Sequence, residues 1–342
     1  MKILVVDPLV EGEPDIEREV AGAGMELVLA RTDKGAPLAD AIYADCDALL
    51  NCRSLHRLPA AIIAKLTRCR VIVQAGVGFN HIDLDAAASR SLPVCNTPDY
   101  GTTEVADHAV GLMVALSRGI VGYDRRLRAS DKAWEARLLP TVRRLRDLRL
   151  GIVGLGRIGA AAARRAAGFG LAIGFHDPYL PAGIELALGL ERFATLDALL
   201  RRSDILSLHC PLTSETTGII AARELALLPA GAIVINTARG GVLDLDALHE
   251  SLRSGHLGGA GIDVFPVEPI DRRHPLLAAW SAQETWLDDR LIVTPHAAFY
   301  SSASIRDMRR LSMLTVVEYL RHGRLRTGLD LASAAWRARI PA

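Results

Sequence analysis

Three ionisable side chains are the residues of this sequence best suited to chemistry: Arg239, Glu268 and His296. Histidine exchanges protons near neutral pH, and a carboxylate beside it orients the ring and stabilises its charged form. Arginine binds a carboxylate through two parallel hydrogen bonds and can polarise a carbonyl group. Together they suit chemistry on an anionic carbonyl compound. Taken singly, each has an ordinary interpretation: an ion pair for Arg239, a surface acid for Glu268 and a turn residue for His296.

A glycine-rich turn predicts a nucleotide site. The apolar run Leu148–Val153 is typical of a buried strand, and the sequence GLGRIG at residues 154–159 follows it at once. The alanine-rich run Gly159–Ala167 predicts a helix. A second apolar strand, Leu171–Phe175, ends just before Asp177. This order of strand, turn, helix, strand and acid is the dinucleotide-binding fingerprint.

Each part of this fingerprint has a physical role. Gly154 permits the tight turn, Gly156 lets a pyrophosphate approach the backbone, and Gly159 lets the helix pack close to the strand. The helix N-terminus offers free N–H groups and a partial positive charge to the pyrophosphate. Asp177 can accept hydrogen bonds from a ribose diol and would repel a 2′-phosphate. Residues 178–180 offer no cation against that repulsion, so the sequence predicts NAD rather than NADP.

The predicted strands of the second half bring the polar candidates to one place. These strands are Leu148–Val153, Leu171–His176, Ile205–Leu208, Ala232–Ile235, Gly259–Ile262 and Leu291–Val293. The carboxyl ends of parallel strands share one edge of a sheet, where ligands bind. The predicted cofactor-binding residues all fall there: Gly154, Gly156, Arg157, Ile158, Gly159, Asp177, Cys210, Pro211, Thr237, Ala238, Arg239, Asp263 and His296. This shared position favours function over the ordinary interpretations.

The first hundred residues also alternate strand and helix. The predicted strands are Lys2–Val6, Met25–Ala30, Ala48–Asn51, Val71–Gln74 and Val94–Asn96, with a helix at Ala60–Thr67 between two of them. The glycine-rich loop at residues 74–80 can hold a carboxylate on backbone N–H groups, or it is a plain strand-to-helix turn. We therefore expect an α/β protein with two doubly wound parallel-sheet domains and a cleft between them.

Composition limits the partners, the cellular location and the metal sites that the sequence allows. Half of the 342 residues are hydrophobic and the net charge is +1, so nothing favours a nucleic-acid or membrane partner. The N-terminal apolar run is too short for a signal peptide. The five cysteines form no C-x-x-C pair, which predicts reduced, mostly buried thiols in a cytoplasmic protein. The histidines show no metal-binding spacing, so no metal is expected.

Two segments between and after these domains carry further predictions. Thr102–Ile120 reads as one long helix that is apolar almost all round, which indicates burial between domains or between subunits. Tyr123–Arg149 is rich in arginine, but acids and Trp134 interrupt the run, so a solvated arm is favoured over a nucleic-acid patch. Ser301–Arg321 predicts an amphipathic helix that returns to the N-terminal unit.

Several long motifs occur in order within residues 45–325: GLGRIG, HDPY, LHCPLT, NTARGG, GIDVFPVEP and TPHAAFYS. With them the chain resembles the D-isomer-specific 2-hydroxyacid dehydrogenase family, and most closely its C-terminal-binding-protein-like branch. The resemblance implies NAD as cofactor, Arg239 as the substrate-binding and catalytic arginine, His296 as the acid/base, and Glu268 as its partner. The resemblance also implies that the protein interconverts a small D-2-hydroxy acid and its 2-keto acid.

The resemblance also implies an organisation. Residues 1–100 and 301–342 would form a discontinuous substrate domain, and residues 101–300 an NAD-binding domain whose arm, about 102–148, forms a homodimer. The implied substrate-binding residues are Gln74, Val77, Gly78, Arg239, His296 and Phe299.

Three features depart from the branch. Gln74 stands where the branch has an arginine, Phe299 where it has a tryptophan, and the segment between Glu268 and His296 is longer than usual. That segment carries two tryptophans and would cover the site or form a dimer contact. The alternative function is an NAD(H)-sensing interaction protein with little turnover on the same fold. The complete set of catalytic residues favours the enzyme.

Overall fold

The computed structural model describes residues 1–139 and 142–331. Two stretches covered by the predictions lie outside the described residues: 140–141, within the predicted arm, and 332–342, at the end of the predicted substrate domain.

The chain divides into two compact units. One comprises Met1–Gly101 and the residues from Tyr300 onward, and the other comprises Thr102–Phe299. Each unit has its own parallel sheet and its own buried apolar core.

The first unit is built on a five-stranded parallel sheet in the order β2-β1-β3-β4-β5. Its strands are β1 (Lys2–Val6), β2 (Glu26–Ala30), β3 (Ala48–Asn51), β4 (Ile72–Gln74) and β5 (Val94–Cys95). The order is that of a flavodoxin-like doubly wound sheet. Strands β1, β3 and β4 are almost wholly buried, as their continuous apolar runs predict.

The helices are numbered along the whole chain. Those of the first unit are α1 (Asp15–Ala21), α2 (Asp40–Ala44), α3 (Ala60–Ile63), α4 (Leu84–Ser89) and α13 (Ser302–His322). Helix α13 begins at a reciprocal cap, in which the side chains of Ser301 and Ser304 each accept a hydrogen bond from the other's backbone N–H at 2.9 Å. It ends at Gly323, whose φ is +67°.

Helix α13 packs on α1, β3 and β4 of its own unit. Arg309 on α13 donates to both carboxylate oxygens of Glu17 on α1, at 2.8 and 2.6 Å, and to Asp15. Both Arg309 and Glu17 are buried. Because each charge would be costly to bury alone, this pair fixes how the last described helix sits on the first unit.

The second unit contains a seven-stranded parallel sheet in the order β12-β11-β10-β9-β6-β7-β8. Its strands are β6 (Arg149–Val153), β7 (Ala172–His176), β8 (Glu191–Arg192), β9 (Ile205–Leu208), β10 (Ala232–Asn236), β11 (Leu257–Ile262) and β12 (Leu291–Val293). The six predicted strands are present within a few residues, while the short β8 was missed. The order reverses between β6 and β9, and a doubly wound sheet binds its ligand at that switch point.

The helices of the second unit are α5 (Thr102–Ser117), α6 (Ile120–Ala129), α7 (Arg157–Ala167), α8 (Ile184–Leu188), α9 (Leu196–Leu200), α10 (Ala222–Leu227), α11 (Leu245–Arg253) and α12 (Pro275–Ser281). Short 3-10 turns occur at 131–133, 136–138, 145–147, 240–242 and 285–287. These elements, together with the first unit, confirm the predicted α/β class and its doubly wound sheets.

The predicted helix Thr102–Ile120 is wrong in two respects. It ends at Ser117, and α6 begins after Gly119, whose φ of +63° suits the bend. The apolar residues of α5 pack on α7, β10 and β11 of their own unit, so they do not require a second domain or subunit. Across the described residues no single helix is long and apolar enough to span a membrane. Helices α5 and α6 together have the length and composition of a span, but they are bent by 56° where they meet.

The arginine-rich arm is tied to the body of its unit by acids. Arg125 on α6 donates to Asp288 and Asp289, at 2.7 and 2.8 Å, and Arg126 donates to Asp289 at 2.7 Å. Arg143 donates to Asp204 at 2.6 Å. The arm is therefore less of a free, solvated segment than the sequence predicts.

The long segment between Glu268 and His296 is part of the second unit's core. Helix α12 packs on α11, and its residues Leu276 and Leu277 are buried. The ring of Trp286 lies 5.6 Å from that of His249 on α11. The segment thus has an internal packing role that neither sequence-based alternative considered.

Candidate active site

The glycines of the turn after β6 are required by close approach. Gly154 has a φ of +86°, and a Cβ there would lie 2.7 Å from the backbone nitrogen of Cys210, in the loop after β9. A Cβ on Gly159 would lie 2.2 Å from the carbonyl oxygen of Gly154. These contacts hold the β6 and β9 loops and the start of α7 together at the switch point of the sheet.

Gly156 shows that this turn suits a ligand. A Cβ there would meet no atom of the described residues within 4 Å, so packing does not explain the glycine. Gly156, the N-cap residue of α7, has no side chain that could bond to the N–H groups of the first turn, and a helix N-terminus presents such groups to an anion. Arg157 and Ile158 lie in that first turn. The turn therefore fits the pyrophosphate of a dinucleotide.

Asp177 lies at the end of β7, as predicted. Its Oδ2 accepts a hydrogen bond from the backbone N–H of Leu155 at 3.0 Å, and its Oδ1 accepts one from Tyr179 at 3.0 Å. Residues 178–180 offer no cation, as expected, but a cation from a later part of the chain lies nearby. The guanidinium of Arg192, on β8, donates to the carbonyl oxygen of Asp177 at 3.1 Å. Sequence analysis missed Arg192 because it lies 15 positions after Asp177, on a strand of only 2 residues.

The turn after β10 presents Arg239. The buried amide of Asn236 shapes it, because Nδ2 donates to the carbonyl of Arg239 at 3.1 Å and Oδ1 accepts from the N–H of Ala238 at 3.0 Å. The hydroxyl of Thr237 is buried and has no hydrogen-bond partner among the described residues, so it is available to a bound cofactor. Cys210 and Pro211 follow the neighbouring strand β9.

Glu268 and His296 form a hydrogen-bonded pair. The imidazole Nδ1 lies 2.7 Å from Oε2 of Glu268, and Oε1 accepts from the backbone N–H of Phe265 at 2.8 Å. Burial acts to raise the pKa of Glu268, but the bonds from His296 and Phe265 and the charges of His296 and Arg239 outweigh burial and lower that pKa. The carboxylate therefore stays ionised at neutral pH.

The backbone around His296 is held by Asp263. This carboxylate is 1% exposed and accepts from the hydroxyl of Thr294 at 2.6 Å and from the N–H groups of Ala297 and Ala298, at 2.8 and 3.0 Å. His296 itself adopts a φ of +53°, which non-glycine residues rarely do. Asp263, predicted to bind the cofactor, thus organises the turn that presents His296.

Two rings flank this turn. Phe299 meets the imidazole of His296 edge-on, with centroids 6.1 Å apart and an interplanar angle of 82°. His108 on α5 lies with Nε2 3.0 Å from the hydroxyl of Thr294. Sequence reasoning missed His108 and its contact with Thr294, since 186 positions separate them and no motif joins them.

The predicted substrate-binding residues of the first unit lie after β4. Gln74 is 3% exposed, and its Oε1 accepts from Asn51 at 3.0 Å and is 2.7 Å from the imidazole Nε2 of His81. Its amide is thereby held inside its own unit. Val77 is exposed and Gly78 half-buried on the loop that follows. The sequence did not predict these contacts of Asn51 and His81.

Residues 110–298 match the model of the NAD-binding domain of D-isomer-specific 2-hydroxyacid dehydrogenases. The chain belongs to this family. It is 36% identical to a glyoxylate reductase of Korarchaeum cryptofilum over 81% of the chain and 80% of that protein. It is 34% identical to a D-3-phosphoglycerate dehydrogenase of Methanocaldococcus jannaschii over 94% of the chain, which spans 57% of that longer relative.

A solved structure supports the same assignment. The D-lactate dehydrogenase of Aquifex aeolicus, complexed with NAD and lactic acid, superposes with a TM-score of 0.80 at 26% identity, covering 93% of this chain and 95% of that one. The family, the fold, NAD as the cofactor and membership of a class of NAD-dependent dehydrogenases are thus confirmed. The resemblance to the C-terminal-binding-protein-like branch stays a prediction.

Proposed function

We propose that this protein interconverts a small D-2-hydroxy acid and its 2-keto acid, with NAD(H) as the hydride carrier. The observation that carries the proposal is the 2.7 Å bond between His296 and Glu268 at the carboxyl edge of a dinucleotide-binding sheet. Arg239 adds a cation close enough to lower the pKa of Glu268. An acid/base pair and an arginine are the groups that a 2-keto acid requires.

The second unit holds the cofactor in this proposal. The first turn of α7 and Gly154–Gly159 bind the pyrophosphate, and Asp177 binds the ribose diol. Cys210, Pro211, Thr237 and Ala238 line the nicotinamide side. NADH, when bound, supplies the hydride that reaches the carbonyl carbon. NADH is preferred over NADPH because the carboxylate of Asp177 repels a 2′-phosphate.

The proton chemistry falls to His296. Its Nδ1 is bonded to Glu268, so Nε2 is the nitrogen that donates a proton to the carbonyl oxygen during reduction and accepts it during oxidation. Glu268 keeps the ring in place and balances the imidazolium charge. Arg239 binds the substrate carboxylate and polarises the carbonyl. Phe299 packs beside the imidazole, on the side that receives the substrate.

The remaining assignments are proposals of the same kind. The first unit is the substrate domain, with the loop that includes Gln74, Val77 and Gly78 binding the substrate carboxylate through backbone N–H groups. The protein is a cytoplasmic homodimer formed through residues 102–148. Exposed apolar side chains on and after α6, including Trp134 at 85% exposure, support that interface.

A screen of small 2-keto acids with NADH tests the function. Turnover of at least one is expected, and His296→Ala should reduce its kcat by about two to four orders of magnitude. His322→Ala is the control, since this exposed histidine is the last residue of α13 and lies outside the catalytic motifs. Tight NADH binding without turnover of any keto acid would instead favour an NAD(H)-sensing interaction protein.

A further inference from the structure

The segment that carries Asp177 is built around one guanidinium. Residues 177–181 form the first part of the connection from β7 to α8, and Arg192 on β8 donates to three of their carbonyl oxygens. Nη2 lies 3.1 Å from the oxygen of Asp177 and 2.6 Å from that of Leu180, and Nη1 lies 2.9 Å from that of Pro181. Five residues of backbone are thereby wrapped around a single side chain.

Arg192 is itself fixed in place. Its Nη1 lies 3.3 Å from a carboxylate oxygen of Glu185, its guanidinium carbon lies 5.8 Å from the ring centroid of Phe175, and its side chain is 23% exposed. It also sits opposite Phe175 in the register of β7 and β8. A planar fork held on several sides makes a rigid support for the carbonyls it binds.

The sequence of the segment makes this support necessary. Pro178 and Pro181 have no backbone N–H, so the segment has few donors of its own for its carbonyl oxygens. One of its few N–H groups, that of Tyr179, is used by the carboxylate of Asp177. The carboxylate is therefore aimed by a loop whose shape depends on Arg192.

We infer that Arg192 is a positioning residue for cofactor selectivity: it holds residues 177–181 so that the Asp177 carboxylate faces the ribose and rejects a 2′-phosphate. This rests on the proposed role of Asp177. A cation near a ribose site would ordinarily attract a 2′-phosphate, which predicts the opposite sign. Here the N–H groups of both terminal nitrogens are directed at carbonyl oxygens and Glu185, which favours positioning over attraction.

The test is the ratio of the dissociation constants of NADPH and NADH, measured by calorimetry. In Arg192→Met the loop loses its support, so NADH binding should weaken about tenfold while NADPH binding changes little, and the ratio should fall about tenfold. Arg192→Lys should behave like the methionine variant, because one ammonium cannot replace the fork. Hydrogen exchange of the Tyr179 amide in the cofactor-free protein should quicken in both variants.

Arg202→Met is the matched control. Arg202 also lies over a phenylalanine, Phe193, at 5.6 Å, and pairs with a glutamate, Glu191, at 2.7 Å. In the described part of the chain, Arg202 donates to Glu191 and not to a carbonyl of residues 177–181, so the ratio and the exchange of the Tyr179 amide should stay at wild-type values.

Asp177→Asn separates the inference from its premise. If it lowers the ratio but Arg192→Met does not, the role of Arg192 is refuted and that of Asp177 stands. If neither variant changes the ratio, the assignment of Asp177 falls and the inference with it. A ratio that rises in Arg192→Met, or that lysine restores, would show that charge rather than geometry is what Arg192 supplies, and would also overturn the inference.

Discussion

Replacement of Gly240 by alanine should disable the catalytic pair without touching it. A Cβ on Gly240 would lie 1.9 Å from the carbonyl carbon of Phe265, whereas ordinary contacts begin at 3.4 Å, so one of the two segments must move by the difference of about 1.5 Å. The N–H of Phe265 holds Glu268 at 2.8 Å, and Glu268 holds His296 at 2.7 Å. The displacement therefore reaches the imidazole.

The expected loss is large because catalysis is sensitive to position. A misplacement of about 1 Å can cost about a hundredfold in rate, so kcat for keto-acid reduction should fall by about two orders of magnitude in Gly240→Ala. NADH binding, measured by fluorescence titration, should persist, because the proposed pyrophosphate and ribose contacts follow β6 and β7. Steady-state kinetics measures the loss of kcat, and the titration shows whether NADH binding is kept.

The adjacent glycine is the control. A Cβ on Gly241 would lie 3.1 Å from a methyl group of Leu212, at the flexible end of a side chain that can turn away. Gly241→Ala should therefore keep kcat within a few-fold of the wild type. If Gly240→Ala also kept the wild-type kcat, the close packing of this turn would have no bearing on the catalytic pair, and the reasoning would be refuted.

Three further outcomes are expected. Arg309→Met leaves the carboxylate of Glu17 buried without its partner, so urea titration should show a loss of about 3–5 kcal/mol in the free energy of unfolding, and adding Glu17→Gln should recover much of it. The pKa of Glu268 is lowered in the folded protein, so its stabilising contribution is present above the ordinary 4.5 and is lost as the pH falls through the folded value. Glu268→Gln should flatten that acid-side decline in stability. Sedimentation at low micromolar concentration should show a dimer, which Ile120→Glu with Leu127→Glu should convert to a monomer that still binds NADH. The three predictions would be contradicted, in turn, by no recovery of stability in the double variant, by an unchanged loss of stability at acid pH in Glu268→Gln, and by a monomeric wild-type protein.

Periodicity and motif order predicted the strands, and the position of the candidate site residues after them, because both are local signals. The strands Lys2–Val6, Ala48–Asn51, Ile205–Leu208 and Leu291–Val293 have the predicted bounds, since short apolar runs between turn residues leave little choice. Arg239, Glu268 and His296 follow strands of one parallel sheet, which alone brings them to a common edge.

What the sequence did not reveal depends on contacts between distant residues. The backbone conformation of Gly119 ends α5, and an apolar helix was assigned to an interface because its partners α7 and β10 cannot be read from its own sequence. Arg192, and the bonds by which Asp263 holds the turn of His296, were missed for the same reason. Each acts on backbone groups of another segment, and no local pattern marks such a bond.

The pH dependence of turnover in both directions tests the central claim most directly. If His296 donates the proton, keto-acid reduction should fall as the pH rises and the imidazolium is lost, and hydroxy-acid oxidation should rise over the same range. Glu268→Gln removes the carboxylate that orients the ring and balances its charge, so turnover should fall in both directions while NADH affinity is kept. Reduction and oxidation rates that do not change with pH, or turnover that is unchanged in Glu268→Gln, would contradict the role assigned to this pair.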